Sequence, residues 1–177
     1  MKKTVFILSI VILIFGFSST VFSAESLKIG VVNFEKILKE SSAGKMTQKQ
    51  LKEKRDEFQL KLQNEKKQLD EMQKTFERES LVLSPEKQQE KQREFRIKVN
   101  DLKKMQQDIT RQFKQLELAL LNKMQKQVFE IADQIGNKDK YSLIIEQKTA
   151  GIIFKQDKLD ITDQIIKQYN LNVSKTN

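Results

Sequence analysis

The sequence predicts an α+β protein: a small β-rich oligomerisation body with a long antiparallel α-helical coiled-coil hairpin inserted between its strands. Three observations lead there. Apolar residues recur in steps of three and four through two long stretches rich in Lys, Glu and Gln. Those stretches are separated by the only proline of the 177 residues, Pro85. Short runs rich in Val and Ile lie on both sides of them, in SLKIGVVNF near the start and YSLIIE near the end.

The elements follow in order. Met1-Lys2-Lys3 is basic, Val5 to Phe17 is apolar, and small residues run from Ser18 to Ala24. This is the three-part pattern of a cleavable secretory leader over residues 1–23, and the apolar run is short for a membrane span. Its removal takes two lysines from the formal net charge of +9, leaving +7. Residues 24–44 form the first part of the body. A strand within Ser26–Phe34 carries Ile29, Val31 and Val32, Asn33 caps a short helix at Phe34–Leu38, and Ser41-Ser42-Ala43-Gly44 weakens that helix.

Residues 45–136 form the hairpin. Its seam runs through Leu51, Phe58, Leu62, Leu69, Met72, Phe76 and Leu83, with Glu65 as a polar member. It returns through Phe95, Val99, Leu102, Ile109, Phe113, Leu116 and Leu120, with Gln106 in the polar place, and continues through Met124, Val128, Ile131 and Ile135. Between the two arms lies SLVLSPEK. Ser84 is a good N-cap, Pro85 suits a first helical turn, and Glu86 complements the helix N-terminus. So short a connection makes the arms antiparallel neighbours. Leu81, Val82 and Leu83 then sit at the tip, where they either close it by packing or stay exposed as a contact surface for another molecule. The second arm is expected to stop at Gly136-Asn137.

Residues 137–177 complete the body. Tyr141–Glu146, with Leu143 and Ile145, reads as a strand; Thr149-Ala150-Gly151 as a turn; Ile152-Ile153-Phe154 as another strand. Asp160 or Thr162 caps a final helix bearing Ile161, Ile165, Ile166 and Tyr169. Three short strands bury too little apolar surface alone, so Ile29, Val31, Val32, Leu143, Ile145 and Ile153 are expected to serve as body and oligomer core.

Composition removes whole classes of function. There is no cysteine and no histidine, which removes the usual zinc and iron–sulfur ligands and the common nucleophile–His pairs. Gly44-Lys45 lacks the first glycine of a phosphate loop, since position 39 is Lys39, and Met46 stands where Ser or Thr belongs. The reading is no enzyme, no cofactor and no metal. Basic residues alternate with acids and lack aromatic interleaving, so nucleic acid is not the expected partner.

The segments KIGVVNFEKIL (28–38), YSLIIE (141–146) and DITDQIIKQY (160–169), flanking the charged hairpin and following a leader, resemble the Skp/OmpH family of periplasmic chaperones. The resemblance implies a periplasmic homotrimer whose helical tentacles enclose a cavity for unfolded outer-membrane β-barrel proteins, without use of ATP. A lipopolysaccharide cluster has been proposed in that family, so anionic lipid or lipopolysaccharide stays open as a further partner, with no residue carried over. The alternative is an envelope coiled-coil adaptor that binds one folded partner.

Overall fold

The β-branched run at the start of the described chain forms strand β1, Ile29–Val32, with Val31 and Val32 buried. The computed structural model describes residues 27–176; the leader expected over residues 1–23 lies outside the described residues. Asn33 then ends the strand, because its side chain accepts the Lys36 N–H at 3.0 Å and opens helix α1, Phe34–Glu40. The corner after α1 is made by one buried residue. The Ser41 N–H donates to the Ile37 carbonyl, closing α1, and its hydroxyl accepts the Gly44 N–H at 3.0 Å, opening helix α2. Helix α2 runs Ser42–Glu79. Gly44 therefore lies inside a long helix, and its lack of a side chain serves close approach: an added Cβ would stand 2.7 Å from the Leu38 carbonyl carbon.

At the far end Ser84 caps helix α3, Pro85–Asp139, accepting the Lys87 N–H, with Pro85 in the first turn. Its 55 residues extend about 80 Å at 1.5 Å per residue. The 38 residues of α2 extend about 57 Å on the same basis. The two helices are antiparallel: Lys91 pairs with Glu79 near the tip, and the Arg55 guanidinium sits 5.3 Å over the Phe113 ring halfway down. Contrary to expectation, α3 does not stop at Gly136. It continues to Asp139 and ends on Lys140, which takes the left-handed conformation (φ 57°) and donates its N–H to the Gly136 carbonyl. Gly136 lies inside the last turns of α3, where a Cβ would meet only the Ile144 side chain, at 3.4 Å, an ordinary contact.

Strand β2, Leu143–Glu146, pairs in parallel with β1, Ile29 opposite Leu143 and Val32 opposite Glu146. On the other side of β1 a single bridge joins Val31 to Asp160. The strand expected at Ile152–Phe154 does not form; that segment is irregular and leads to one 3₁₀ turn, Asp157–Leu159. Helix α4, Thr162–Thr176, closes the fold; the Asp160 carboxylate accepts the Thr162 N–H at 2.9 Å.

The core is mostly helical. Ile37 of α1, Met124, Val128, Ile131 and Ile135 of α3, and Ile165 and Tyr169 of α4 pack with Val32 and Ile161 in one buried cluster. Thus the last turns of the helix that forms the returning arm are also the centre of the body. Truncating Ile37 or Ile165 to Ala would cost about 3 kcal/mol.

Two sets of variants check these assignments. Gly44→Ala, driven against immobile backbone, is expected to lower unfolding stability by about 2 kcal/mol. Gly136→Ala is expected to raise it by about 0.5–1 kcal/mol, as in any helix interior; denaturant titration reads both, and a loss at Gly136 would restore it as the stop. Burial pushes the Asp160 carboxyl up, but the Lys155 ammonium and the Thr162 hydroxyl and N–H outweigh it and hold it below the usual range. Glu146 is likewise held low: the N–H groups of Thr149, Lys148 and Phe34 and the Thr149 hydroxyl overcome its burial. Carboxyls depressed by folding stabilise above their unfolded pKa, and that contribution disappears as pH falls through the folded value. Stability should drop from about pH 4 downward, and Asp160→Asn with Glu146→Gln should flatten that drop in denaturation measured across pH.

Candidate functional site

Chemistry-bearing clusters are not where the molecule concentrates its features. Among the described residues no group of three or more carboxylates is placed to hold a metal ion, and none of the buried side-chain polar atoms lacks a partner. None of the described helices is long and apolar enough to cross a membrane. What the fold does present is exposed apolar surface, in three places.

The first is the hairpin tip. Leu81 and Val82 are 92% and 83% exposed, whereas Leu83 folds back and is half-buried. The turn beneath them is well tied. The Val82 and Leu83 N–H groups donate to the Glu79 carbonyl, and the Gln88 side-chain amide donates to the carbonyls of Ser80 (2.7 Å) and Leu83 (3.3 Å). Because those backbone groups are satisfied locally, the turn holds its shape while the two apolar side chains face water.

Below the tip, the seam contains the expected residues with graded cover. Phe58 is buried; Leu62, Leu69, Phe76, Phe95, Leu102, Ile109 and Phe113 are half-buried, as a pair of helices with nothing around it allows. Two places differ from the sequence pattern. Met105 is half-buried where Gln106 was expected, and Gln106 faces water. Steps of three then four and of four then three both fit the repeat, and the apolar side chain takes the inner place. Val99, read as a seam member, is exposed. The outer faces are knitted by ion pairs one turn apart, Lys54–Glu57, Lys74–Asp70, Lys87–Glu90 and Arg111–Asp108. Exposed pairs of this kind add little to stability, so their effect is to neutralise charge locally along the arms.

The second place is a groove of about 770 Å³ between α1, α3 and the outer edge of β2. Phe34 and Leu38 line one wall, Leu118, Leu121 and Phe129 another, and Leu143 and Ile145 the third. Leu118, Phe129 and Leu143 are each about half exposed. This second stripe of α3 faces away from α2. It has a sequence signal: LELALL (116–121) carries four leucines where the seam uses two, Leu116 and Leu120.

The third place is the segment after β2. Ile153 is fully exposed and Phe154 is 83% exposed. Ile153 was expected in the body or oligomer core; without a neighbouring strand it packs on nothing within the single chain. The other body residues divide: Val31 and Val32 are buried, Ile29 and Ile145 half-buried, and Leu143 exposed on the groove.

Comparison with known proteins gives a consistent picture. Residues 28–169 match the family model for outer membrane protein (OmpH-like). Curated sequences return no significant match. Among solved structures, the crystal structure of a candidate outer membrane chaperone (OmpH-like) from Caulobacter crescentus CB15 is similar, with a TM-score of 0.76 at 15% identity, covering 82% of this chain and 85% of that one. At that identity the likeness is one of fold. The family match spans most of the 177 residues, and the chain belongs to the OmpH-like outer membrane protein family.

Proposed function

We propose that the chain is an ATP-independent, non-enzymatic holdase of the periplasm, delivered there by its leader, that binds unfolded outer-membrane β-barrel proteins and keeps them from aggregating. The observation that carries the reading is the surface itself. A charged helical hairpin tens of ångströms long projects from a small body, with apolar side chains exposed at its tip and at its root.

An unfolded β-barrel chain is apolar at alternate residues and needs many weak contacts rather than one pocket. Short apolar patches set in a charged surface supply such contacts, and the net positive charge speeds encounter with anionic chains or lipid surfaces in a salt-dependent way. Insertion of the client into the bilayer is the lower free-energy state, so release requires no nucleotide; binding only the unfolded chain works by mass action. The groove at the root and the exposed Ile153 and Phe154 favour assembly through the body, as a homotrimer in which the coiled-coil hairpins flank a common cavity. The named structural neighbour, an OmpH-like chaperone candidate, supports the same class.

Dilution of a urea-denatured outer-membrane β-barrel protein into buffer tests this by light scattering. Stoichiometric oligomer should suppress the scattering with or without ATP; unchanged aggregation rejects a holdase. An adaptor would instead bind one folded partner and leave the scattering untouched. Leu81→Ser with Val82→Ser should raise the concentration needed for suppression without moving the thermal midpoint, because neither side chain is buried. An unchanged requirement would remove the tip from client binding.

A further inference from the structure

We infer that the middle of the shaft carries a client subsite: the gap between α2 and α3 beside residues 55–66 takes a short extended segment of an unfolded client, with an apolar side chain on its floor and an Asp or Glu carboxylate on Arg55 or Lys66. This rests on the holdase reading above and gives that reading a place and a preferred chemistry away from the tip.

The two arms do not close completely there. A gap of about 450 Å³ opens between them, floored by Phe58 and Leu62 of α2 and by Ile109 and Phe113 of α3. Leu62, Ile109 and Phe113 are half-buried, so apolar surface stays within reach of another chain. The rim on the α2 side is polar. Arg55, Gln59, Gln63 and Lys66 recur in steps of three and four, which keeps them on one side of the helix. None of the residues lining the gap is acidic, although acids and bases alternate along the arms as a whole.

The two cations on this rim lack carboxylate partners. Their sequence neighbours Lys54 and Lys67 pair with Glu57 and Glu71 about one turn on. Arg55 and Lys66 make no ion pair among the described residues. The sequence supplies the reason. Four residues after Arg55 stands Gln59, and four after Lys66 stands Asp70, which Lys74 already holds at 2.7 Å. Arg55 is nevertheless positioned: its guanidinium sits 5.3 Å over the Phe113 ring of the opposite helix. The ring attracts the cation but has no oxygen to accept its N–H groups, so donors remain for a carboxylate.

Length selects an extended occupant. Arg55 and Lys66 stand about 16 Å apart along the helix at 1.5 Å per residue, a span that an extended chain covers in about five residues. In such a chain alternate side chains face the gap, as in the β-barrel sequences of the proposed clients. One apolar side chain reaches the floor while a carboxylate further along meets a cation of the rim. The Gln59 and Gln63 amides between the cations each carry donors and an acceptor for the backbone of the segment. A client already folded has its backbone groups paired and offers the amides nothing. A free phosphate would meet one cation and leave the floor and the amides unused. The net charge of +9 likewise favours acidic segments.

Two short fluorescent peptides test this by anisotropy. Both alternate apolar and polar residues around one Phe and are capped at both ends; one carries a single Glu where the other carries Gln. The unaltered protein should bind the Glu peptide about threefold to fivefold more tightly, as an exposed ion pair allows, and added salt should erase the difference. Arg55→Gln with Lys66→Gln should bring the two peptides to equal affinity without moving the thermal midpoint, since both side chains are exposed. Arg93→Gln with Lys103→Gln removes the same charge from exposed positions elsewhere on α3 and should keep the preference. Equal affinity of the unaltered protein for the two peptides, no binding of either, or loss of the preference in the Arg93 and Lys103 variant overturns the subsite. If phosphatidylglycerol vesicles bind in a way that depends on Arg55 and Lys66 while the peptides bind alike, the gap serves lipid headgroups and the peptide assignment is wrong. Suppression of scattering is read separately on the unaltered protein. Suppression without a peptide preference leaves the holdase standing and removes the subsite; no suppression removes the holdase, and the subsite is then judged by the peptides alone.

Discussion

Five residues at the start of the described chain, Val31 to Glu35, hold the fold together because the end of the chain returns to them. The Val31 carbonyl accepts the Ile161 N–H at 3.0 Å and the Val32 carbonyl accepts the Gln147 N–H at 2.8 Å. The Asn33 N–H donates to the Thr162 hydroxyl at 2.9 Å and the Phe34 N–H to the Glu146 carboxylate at 3.4 Å. The Glu35 carboxylate pairs with Lys148. A parallel strand pair always needs a crossover; here the crossover is α1, α2 and α3 entire. Closing so large a loop costs entropy that rises only slowly with its length, so the arms can be long without endangering the body. The return contacts must nevertheless outweigh it, which explains why the buried cluster gathers Ile161, Ile165 and Tyr169 against α3 immediately beside them.

Stability is distributed unevenly as a result. The body buries whole side chains, the seam residues Met124, Val128, Ile131 and Ile135 among them, while along the hairpin beyond it Phe58 is well covered and the other seam residues keep one side in water. Free energy per residue is therefore lower toward the tip, and local opening there does not require the core to open. The tip turn resists this through its own hydrogen bonds and the Lys91–Glu79 pair rather than through burial.

Much of this was legible in the residues. The heptad steps located both arms, Ser84 and Pro85 located the turn, and Asn33 located the first cap, because each signal is local: a side chain satisfies a backbone group within one turn of itself. The misreadings arise where a residue answers to something distant. Gly136 looks like a helix stop, yet the helix runs on past it and Lys140 supplies the left-handed cap. Ile152–Phe154 has strand composition, but whether a strand forms depends on a neighbour, and among the described residues the segment pairs with no strand. The groove wall of α3 was hidden for a related reason. Leu118 and Leu121 fall off the seam, and a one-stripe reading of a hairpin has no place for a second apolar face. The tip residues Leu81 and Val82 were legible as apolar, though only the turn geometry decides that they point outward while Leu83 does not.

Helix α3 is where the two halves of the molecule become mechanically one. The same unbroken helix carries the tip turn at Pro85 and the core residues Met124, Val128, Ile131 and Ile135. Helix α2 enters through the corner at Ser41, where Gly44 is pressed on the backbone of Leu38. The direction in which the hairpin leaves the body is thus set by how α3 packs on α1 and α4, not by anything along the arm. Should copies assemble through their bodies, the width of any space between their hairpins at the root is decided by core side chains, and only its far end is free to adapt. A substitution at Ile131 or Ile135 would then alter the space without touching a client, whereas one at Leu81 would alter contact without changing the space. The long charged arms read as the working part of the molecule, yet the side chains that aim them are the apolar ones in the body.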